Sequence, residues 1–367
     1  MPLHYGEAPR WLFTRMVNLG KCIIEVLIDE YGQKEILARL ADPYWFQALS
    51  CVLGYDWHSS GTTTVTCAAL KTALQPKEHK LAVAGGTGRF SQRAPEEIEM
   101  IGKVFSWSEE EVGRLKFASR MSAKVDNTAI QAGYPLYHHA FFVDGDGRWL
   151  VIQQGMNTDD RTARRYHWLS DHVKSYVVEP HDAIVGSVVK NQVLDMTSQY
   201  SEGSRKTSVD LVNEGPKRVK RSIEAIRPKY QETLKKWMAE GVKGEDYTLD
   251  LLDMPCRIDW EALKKAYELR PKNYQELLRV KGIGPSTVKG LALVSDIIYG
   301  ERPSWKDPVR YSFAYGGKDG VPFPVDRKAM DSSVQFLREA LERAKVDDRE
   351  KLLALNRLKQ LVVSSPL

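Results

Sequence analysis

The chain is poor in cysteine and has no long apolar run. Four cysteines occur in 367 residues, Cys22, Cys51, Cys67 and Cys256, and no two form a CxxC pair. That scatter argues against a disulfide framework, a zinc ribbon or a cysteine-ligated iron–sulfur cluster. No apolar run approaches the ~20 residues that span a bilayer. The opening MPLHYGEAPRWLFTRM lacks the apolar stretch of a signal peptide. The expected setting is cytoplasmic, without membrane contact. The tract Gly85-Gly86-Thr87-Gly88 is not followed by the Lys-Ser/Thr of a phosphate loop, has no dinucleotide spacing, and reads as a structural loop. Its neighbours Arg89, Ser91, Gln92 and Arg93 have the chemistry to face a nucleic-acid backbone.

What is present divides the chain into three regions, and the expected fold is α+β, mostly α. Residues 1–130 read as mainly helical. Apolar groups recur at helical spacing over Leu12–Tyr31, interrupted by Gly20, and over Lys34–Leu53 across Pro43. A polar stretch, His58–Thr66, precedes a short helix to Leu74. Pro95 with Glu96 and Glu97 opens a helical region that breaks near Trp107 and runs to about Ile130. Residues 131–200 read as β-rich. Leu136–Val143 and Arg148–Gln154 flank Asp144-Gly-Asp-Gly147, a β-hairpin signature. Lys174–Val178 and Ala183–Val188 are further strand candidates.

The middle region is dense in Arg, His, Gln and aromatic residues, ingredients for holding phosphates and stacking bases. His138, His139, Gln153, Gln154, Asn157, Arg164, Arg165, Tyr166, His167 and Trp168 are the candidates for a base pocket or strand contact. A buried, satisfied polar network is the plain alternative. His138 and His139 are adjacent on a strand and point to opposite faces, so that pair alone makes no metal site. Either histidine joined to His167, His172 or His181 would be needed; no metal or other cofactor is expected.

Residues 201–367 combine a basic linker with a helical domain. Net charge is only +5, but Arg205–Lys236 holds ten basic against four acidic residues. Such a tract suits a phosphate-contacting surface, or a solvated helix face. Beyond it, Tyr274–Gly300 reads as two short helices joined at Gly282-Ile283-Gly284, with Pro285 and Ser286 opening the second. Glycines at the joint permit φ > 0 and close approach. The first N–H groups of the second helix are unpaired, so Gly282, Ile283, Gly284, Pro285, Ser286 and Thr287 are the expected DNA-binding residues, framing an anion site, or else an ordinary αα-hairpin with a glycine cap. Downstream, Val321-Pro-Phe-Pro-Val-Asp326 leads into a helical run to about Ala344, and Arg349–Val363 forms another amphipathic helix.

The pair of features resembles the helix-hairpin-helix Gly/Pro-Asp superfamily of DNA glycosylases, in which a loop after the hairpin ends in the catalytic aspartate. The resemblance implies a base-excision repair enzyme acting on double-stranded DNA that contains a damaged or modified base. Candidates include a modified cytosine such as 5-hydroxymethylcytosine, an oxidised purine or a deaminated base. Asp326 matches the catalytic position and would stabilise the sugar cation; Asp331, Glu301 and Asp307 are weaker candidates. Forty residues separate Ser286 from Asp326, so an insertion bearing Trp305, Tyr311, Tyr315 and Gly316-Gly317 must loop out. Ser286 stands where bifunctional members carry a lyase lysine; Lys281 and Lys289 are the available amines. The whole chain also resembles an archaeal and bacterial family of unknown function. A metal-dependent nuclease using the middle region, or a non-enzymatic DNA-binding protein, are the alternatives.

Overall fold

A computed structural model describes residues 1–3, 8–54, 59–226, 255, 257–311 and 327–363. Its centre is a five-stranded antiparallel sheet of β1 (Leu81–Thr87), β3 (Leu136–Asp144), β4 (Trp149–Asn157), β5 (Thr162–Leu169) and β6 (Ala183–Val185), ordered β1-β3-β4-β5-β6. A two-stranded ribbon pairs β2 (Ile130–Gln131) with β7 (Leu194–Asp195). The fold is α+β and mostly helical.

Helices cover both faces of the sheet. Leu81, Val83, Ala140, Phe142, Leu150, Ile152 and Leu169 share one core with α1 (Arg10–Ala41), α2 (Pro43–Leu53) and α3 (Ser60–Ala73). Phe141, Val143, Trp149, Val151, Tyr166 and Trp168 face the other way, onto a core with α5 (Ala94–Phe105) and α6 (Glu109–Thr128); the one-turn α4 (Pro76–His79) leads into β1. An antiparallel sheet with one wet face alternates apolar and polar residues. Here both pleats are dry, which explains the unbroken runs Ala140–Val143 and Trp149–Ile152.

The expected β-hairpin is present. Asp144 accepts from the amides of Asp146 and Arg148 at 3.0 and 2.9 Å, and Arg148 Nε from the side at 2.7 Å. Three expectations are corrected. The glycine tract is the end of strand β1, because a Cβ at Gly85 (φ +90°) would lie 2.1 Å from the His139 carbonyl oxygen; close strand approach, not a loop, requires glycine there. Lys174–Val178 forms no strand, whereas the polar run Thr162–Leu169 does, buried along its length on both faces. Gly20 does not interrupt α1, whose non-helical residue is Gly32.

The carboxy-terminal half adds α7 (Glu202–Glu214), α8 (216–226), α9 (Trp260–Leu269), α10 (Tyr274–Arg279) and α11 (Pro285–Tyr299) to the α6 side. The expected helix start at Asp259 is found, its side chain capping Ala262 N at 2.9 Å; the helix expected over Asp246–Met254 lies outside the described residues. α12 (Arg327–Arg343) and α13 (Asp348–Val363) bury Val334, Leu337, Leu341, Ala354 and Leu358 in the α1–α2 core instead of completing the carboxy-terminal domain. Residues 301–311 do not loop out. Ser304 bridges Asp195, Tyr311 bridges Val185, and Trp305 packs on the core beneath the ribbon. Tyr315, Gly316 and Gly317 lie outside the described residues. No described helix is long and apolar enough to cross a membrane.

Candidate nucleic-acid interface and its neighbouring recess

The turn between α10 and α11 is built from its ends inward. Asn273 caps α10 by accepting from Glu276 N at 2.9 Å, and Glu276 accepts in return from Lys272 N at 2.7 Å. Leu277, Leu278, Val280 and Ile283 are buried and pin the turn to the core. Gly282 takes φ +95° and Gly284 precedes α11, where Pro285 stands in the first turn and no side chain caps the helix. Lys281, Gly282 and Pro285 are exposed, Gly284, Ser286 and Lys289 are half-buried, and Thr287 is buried. The helix therefore turns uncapped backbone N–H groups and the positive end of its dipole outward. Ile283 contributes an anchor, not a strand contact. α6 and β2 tether the turn from the sheet side: Lys124 Nζ of α6 donates to the Ile283 carbonyl, and Gln131 Nε2 of β2 donates to the Pro285 carbonyl at 2.9 Å.

Gly282 is pressed against α9, where a Cβ would lie 2.6 Å from Ala262 Cβ and 2.8 Å from Asp259 Oδ2. Gly282→Ala is expected to lower unfolding stability by about 1–3 kcal/mol, through overpacking and a disfavoured φ. Urea denaturation tests this, and a change below about 0.5 kcal/mol, the usual surface range, would show that α9 does not press on the turn.

The middle-region candidates are inside the protein. His138, His139, Gln153, Gln154, Arg164, Arg165, Tyr166, His167 and Trp168 are all buried, and Asn157 closes the β4–β5 turn by accepting from the Asp159 and Asp160 amides. They are not an open strand-contacting surface, because strand alternation sends successive residues into two cores that are each covered by helices. On the α1–α3 side, His138 Nδ1 meets Thr87 Oγ1 at 2.9 Å. There Gln154 accepts from Thr63 at 2.6 Å and donates to the Ser60 carbonyl at 3.0 Å. Arg165 lies over the Phe46 ring, and His167 Nδ1 meets the Leu40 carbonyl at 3.2 Å. Burial pushes His138 down to about 3 and His139 and His167 below the ordinary histidine range, so all three are neutral at pH 7.

The α6 side holds a connected network. Ser119 Oγ lies 2.9 Å from His139 Nε2, and His139 Nδ1 lies 2.8 Å from Gln153 Oε1. Gln153 Nε2 donates to Asp126, which also accepts from Trp168 Nε1 at 3.0 Å and contacts His181 Nε2 at 2.5 Å. Further along, Arg164 pairs with Asp307 at 2.7 Å, both side chains fully buried.

One end of this network is open. Ser119, His139 and His138 line a recess of about 410 Å³ with Ser91, Gln92, Glu96 and Arg120. Phe90, which precedes the lining residue Ser91, is exposed, with the Arg89 and Arg93 guanidinium groups 5.3 and 5.2 Å from its ring. Arg120 and Lys124 are four residues apart on α6, one helical turn. The recess and the α10–α11 turn thus adjoin along one helix.

The basic tract is partly consumed internally. Arg205 is buried and donates to the Met196 and Ser198 carbonyls at 2.7 and 2.6 Å, while Lys206, Arg218 and Lys220 pair with Glu202, Glu214 and Glu224. Asp326 and the basic residues beyond Ile226 in the tract lie outside the described residues; Asp331 is exposed on α12. Sequence reasoning missed Ser119 and Asp126. A signal was available, since both fall in register with the apolar stripe Leu115, Ala118 and Val125 of α6. Among the described residues, no three His, Cys, Asp or Glu side chains are placed to hold a metal ion.

A family model described as "Protein of unknown function (DUF763)" matches residues 1–325, so the chain belongs to that family. Searches of curated proteins and of solved structures found no match.

Proposed function

We propose that this member of the DUF763 family is a DNA glycosylase that removes a damaged or modified base from double-stranded DNA. The observation that carries this reading is the α10–α11 turn, with Gly282 at positive φ and an uncapped, outward-facing start to α11. Backbone N–H groups at a helix start bind phosphate, and such contacts grip a strand without reading its sequence. Residues Tyr274–Gly300 resemble a helix-hairpin-helix, and Asp326 holds the place of the catalytic carboxylate in the resembling glycosylases. From the turn, α6 leads to the 410 Å³ recess, a size suited to a base turned out of the stack.

In this scheme the glycosidic electrons leave with the base, and positive charge develops on the sugar. The Asp326 carboxylate would stabilise that charge or orient the water that adds at C1′. Ser286 in place of a lysine favours hydrolysis without strand cleavage, while Lys281 or Lys289 would be the amine of a lyase.

The test uses duplexes that each carry one modified base, incubated in EDTA with the wild type or with Asp326→Asn. Each sample is run directly and after alkali. Expected is alkali-dependent cleavage at one modified base, reduced about 10²–10⁴-fold in the variant. Cleavage without alkali, trapped by borohydride, would assign a lyase amine. Cleavage appearing only when divalent metal is restored would replace this reading with a nuclease.

A further inference from the structure

The network behind the recess determines what its floor can recognise. Gln153 turns its amide nitrogen to the Asp126 carboxylate, and Asp126 is held in turn by Trp168 and His181. The opposite amide orientation would set oxygen against carboxylate. Gln153 Oε1 therefore faces His139 Nδ1, 2.8 Å away, and that nitrogen must carry the ring proton. His139 Nε2 is then an acceptor, and the group 2.9 Å from it, the Ser119 hydroxyl, donates its only proton inward. Toward the recess Ser119 offers lone pairs alone. A serine is ordinarily ambivalent; here the chain of His139, Gln153 and Asp126, with Trp168 and His181 behind it, makes it an acceptor. The next residue, Arg120, lines the same recess and can only donate.

We propose that the recess seats the extruded base and selects one that carries an exocyclic amino group beside a ring acceptor. Cytosine-type and adenine-type bases fit; their deaminated counterparts do not. The inference rests on the glycosylase reading above and narrows it. The amino group donates to Ser119 Oγ, and the neighbouring ring nitrogen or carbonyl accepts from Arg120. Deamination replaces the amino donor with a carbonyl oxygen, which would face the Ser119 lone pairs with no hydrogen between them, and puts a proton on the neighbouring ring nitrogen, which would face the Arg120 donors; buried groups left unpaired in this way are costly. Phe90, exposed one residue before the lining residue Ser91 and with Arg89 and Arg93 about its ring, offers a stacking surface for the neighbour that the extruded base leaves behind.

The experiment measures binding by fluorescence anisotropy in EDTA, using the full chain carrying Asp326→Asn so that no base is released. Four duplexes place cytosine, adenine, uracil or hypoxanthine opposite a baseless spacer, which equalises the cost of extrusion; a fifth is fully paired. Expected is about 10-fold or tighter binding of the cytosine and adenine duplexes over the uracil and hypoxanthine ones. Adding Ser119→Ala should bring that ratio close to one without changing affinity for the paired duplex. Arg120→Met, at an exposed position, should weaken the cytosine and adenine duplexes several-fold and spare the uracil, hypoxanthine and paired ones. Equal binding of the four, a preference that survives Ser119→Ala, or no response to Arg120→Met would overturn the base assignment and leave the hairpin reading standing. Failure to bind any duplex would overturn the hairpin reading as well.

Discussion

Replacing Asp307 with alanine is expected to lower the unfolding free energy by about 3–5 kcal/mol, the cost of leaving a buried charge without its partner. Asp307 Oδ2 accepts from Arg164 Nη2 and from the Lys190 amide, both at 2.7 Å, and Oδ1 accepts from the Val309 amide at 3.1 Å. Arg164 is fully buried, its guanidinium 4.5 Å from the Tyr134 ring, and its Nε and Nη1 atoms already have no hydrogen-bond partner among the described residues. Loss of Asp307 would strand that cation and also free the 301–311 segment from β6. Asp307→Asn keeps an oxygen acceptor and should cost less than the alanine. Urea unfolding of the two variants beside the wild type is the check; a loss under about 1 kcal/mol for Asp307→Ala would match an exposed ion pair and would mean that water reaches Arg164.

Acidification should destabilise the fold steeply, beginning near pH 6.5. His138, His139 and His167 are buried and neutral, with burial the main cause in each case. In the unfolded chain the same rings take up protons near pH 6.5. Between that value and the lower folded values the unfolded state binds more protons, so stability is complete above pH 6.5 and falls as the pH drops. Each such histidine contributes a slope of about 1.4 kcal/mol per pH unit. For His138 the slope persists down to about pH 3. Asp195, whose carboxyl burial pushes upward, acts in the opposite sense. Urea midpoints at pH 7, 6 and 5 test the expectation, with His138→Gln flattening the slope by one histidine's share. Midpoints that hold constant from pH 7 to 5 would show that these rings protonate without unfolding.

His138, Gln153 and Arg164 have the chemistry of a binding surface, and nothing within a few positions of them says otherwise. Their burial depends on α3 and α6, which meet the sheet from opposite sides, and on Asp307, which lies 143 residues beyond Arg164. Asp126 presented the reverse case. It is a carboxylate on the buried stripe of α6, and its partners Gln153, Trp168 and His181 come from strands and loops far along the chain.

What the amino-acid sequence determined by itself is the local structure: the Asp144–Arg148 hairpin, the cap of Asp259 on α9, the glycine joint of Gly282–Gly284 and the start of α11 at Pro285. Each depends on φ/ψ preferences and side-chain-to-backbone bonds spanning two to four residues, which are encoded where they act. Only the tertiary structure decided that both sheet faces are dry, that the terminal helices α12 and α13 return to α1 and α2, and that Ser119 faces a recess as an acceptor. Those outcomes are set by which distant surfaces meet. For Ser119 the deciding contact is with His139, twenty residues away, and behind it the orientation of a single amide held by Asp126.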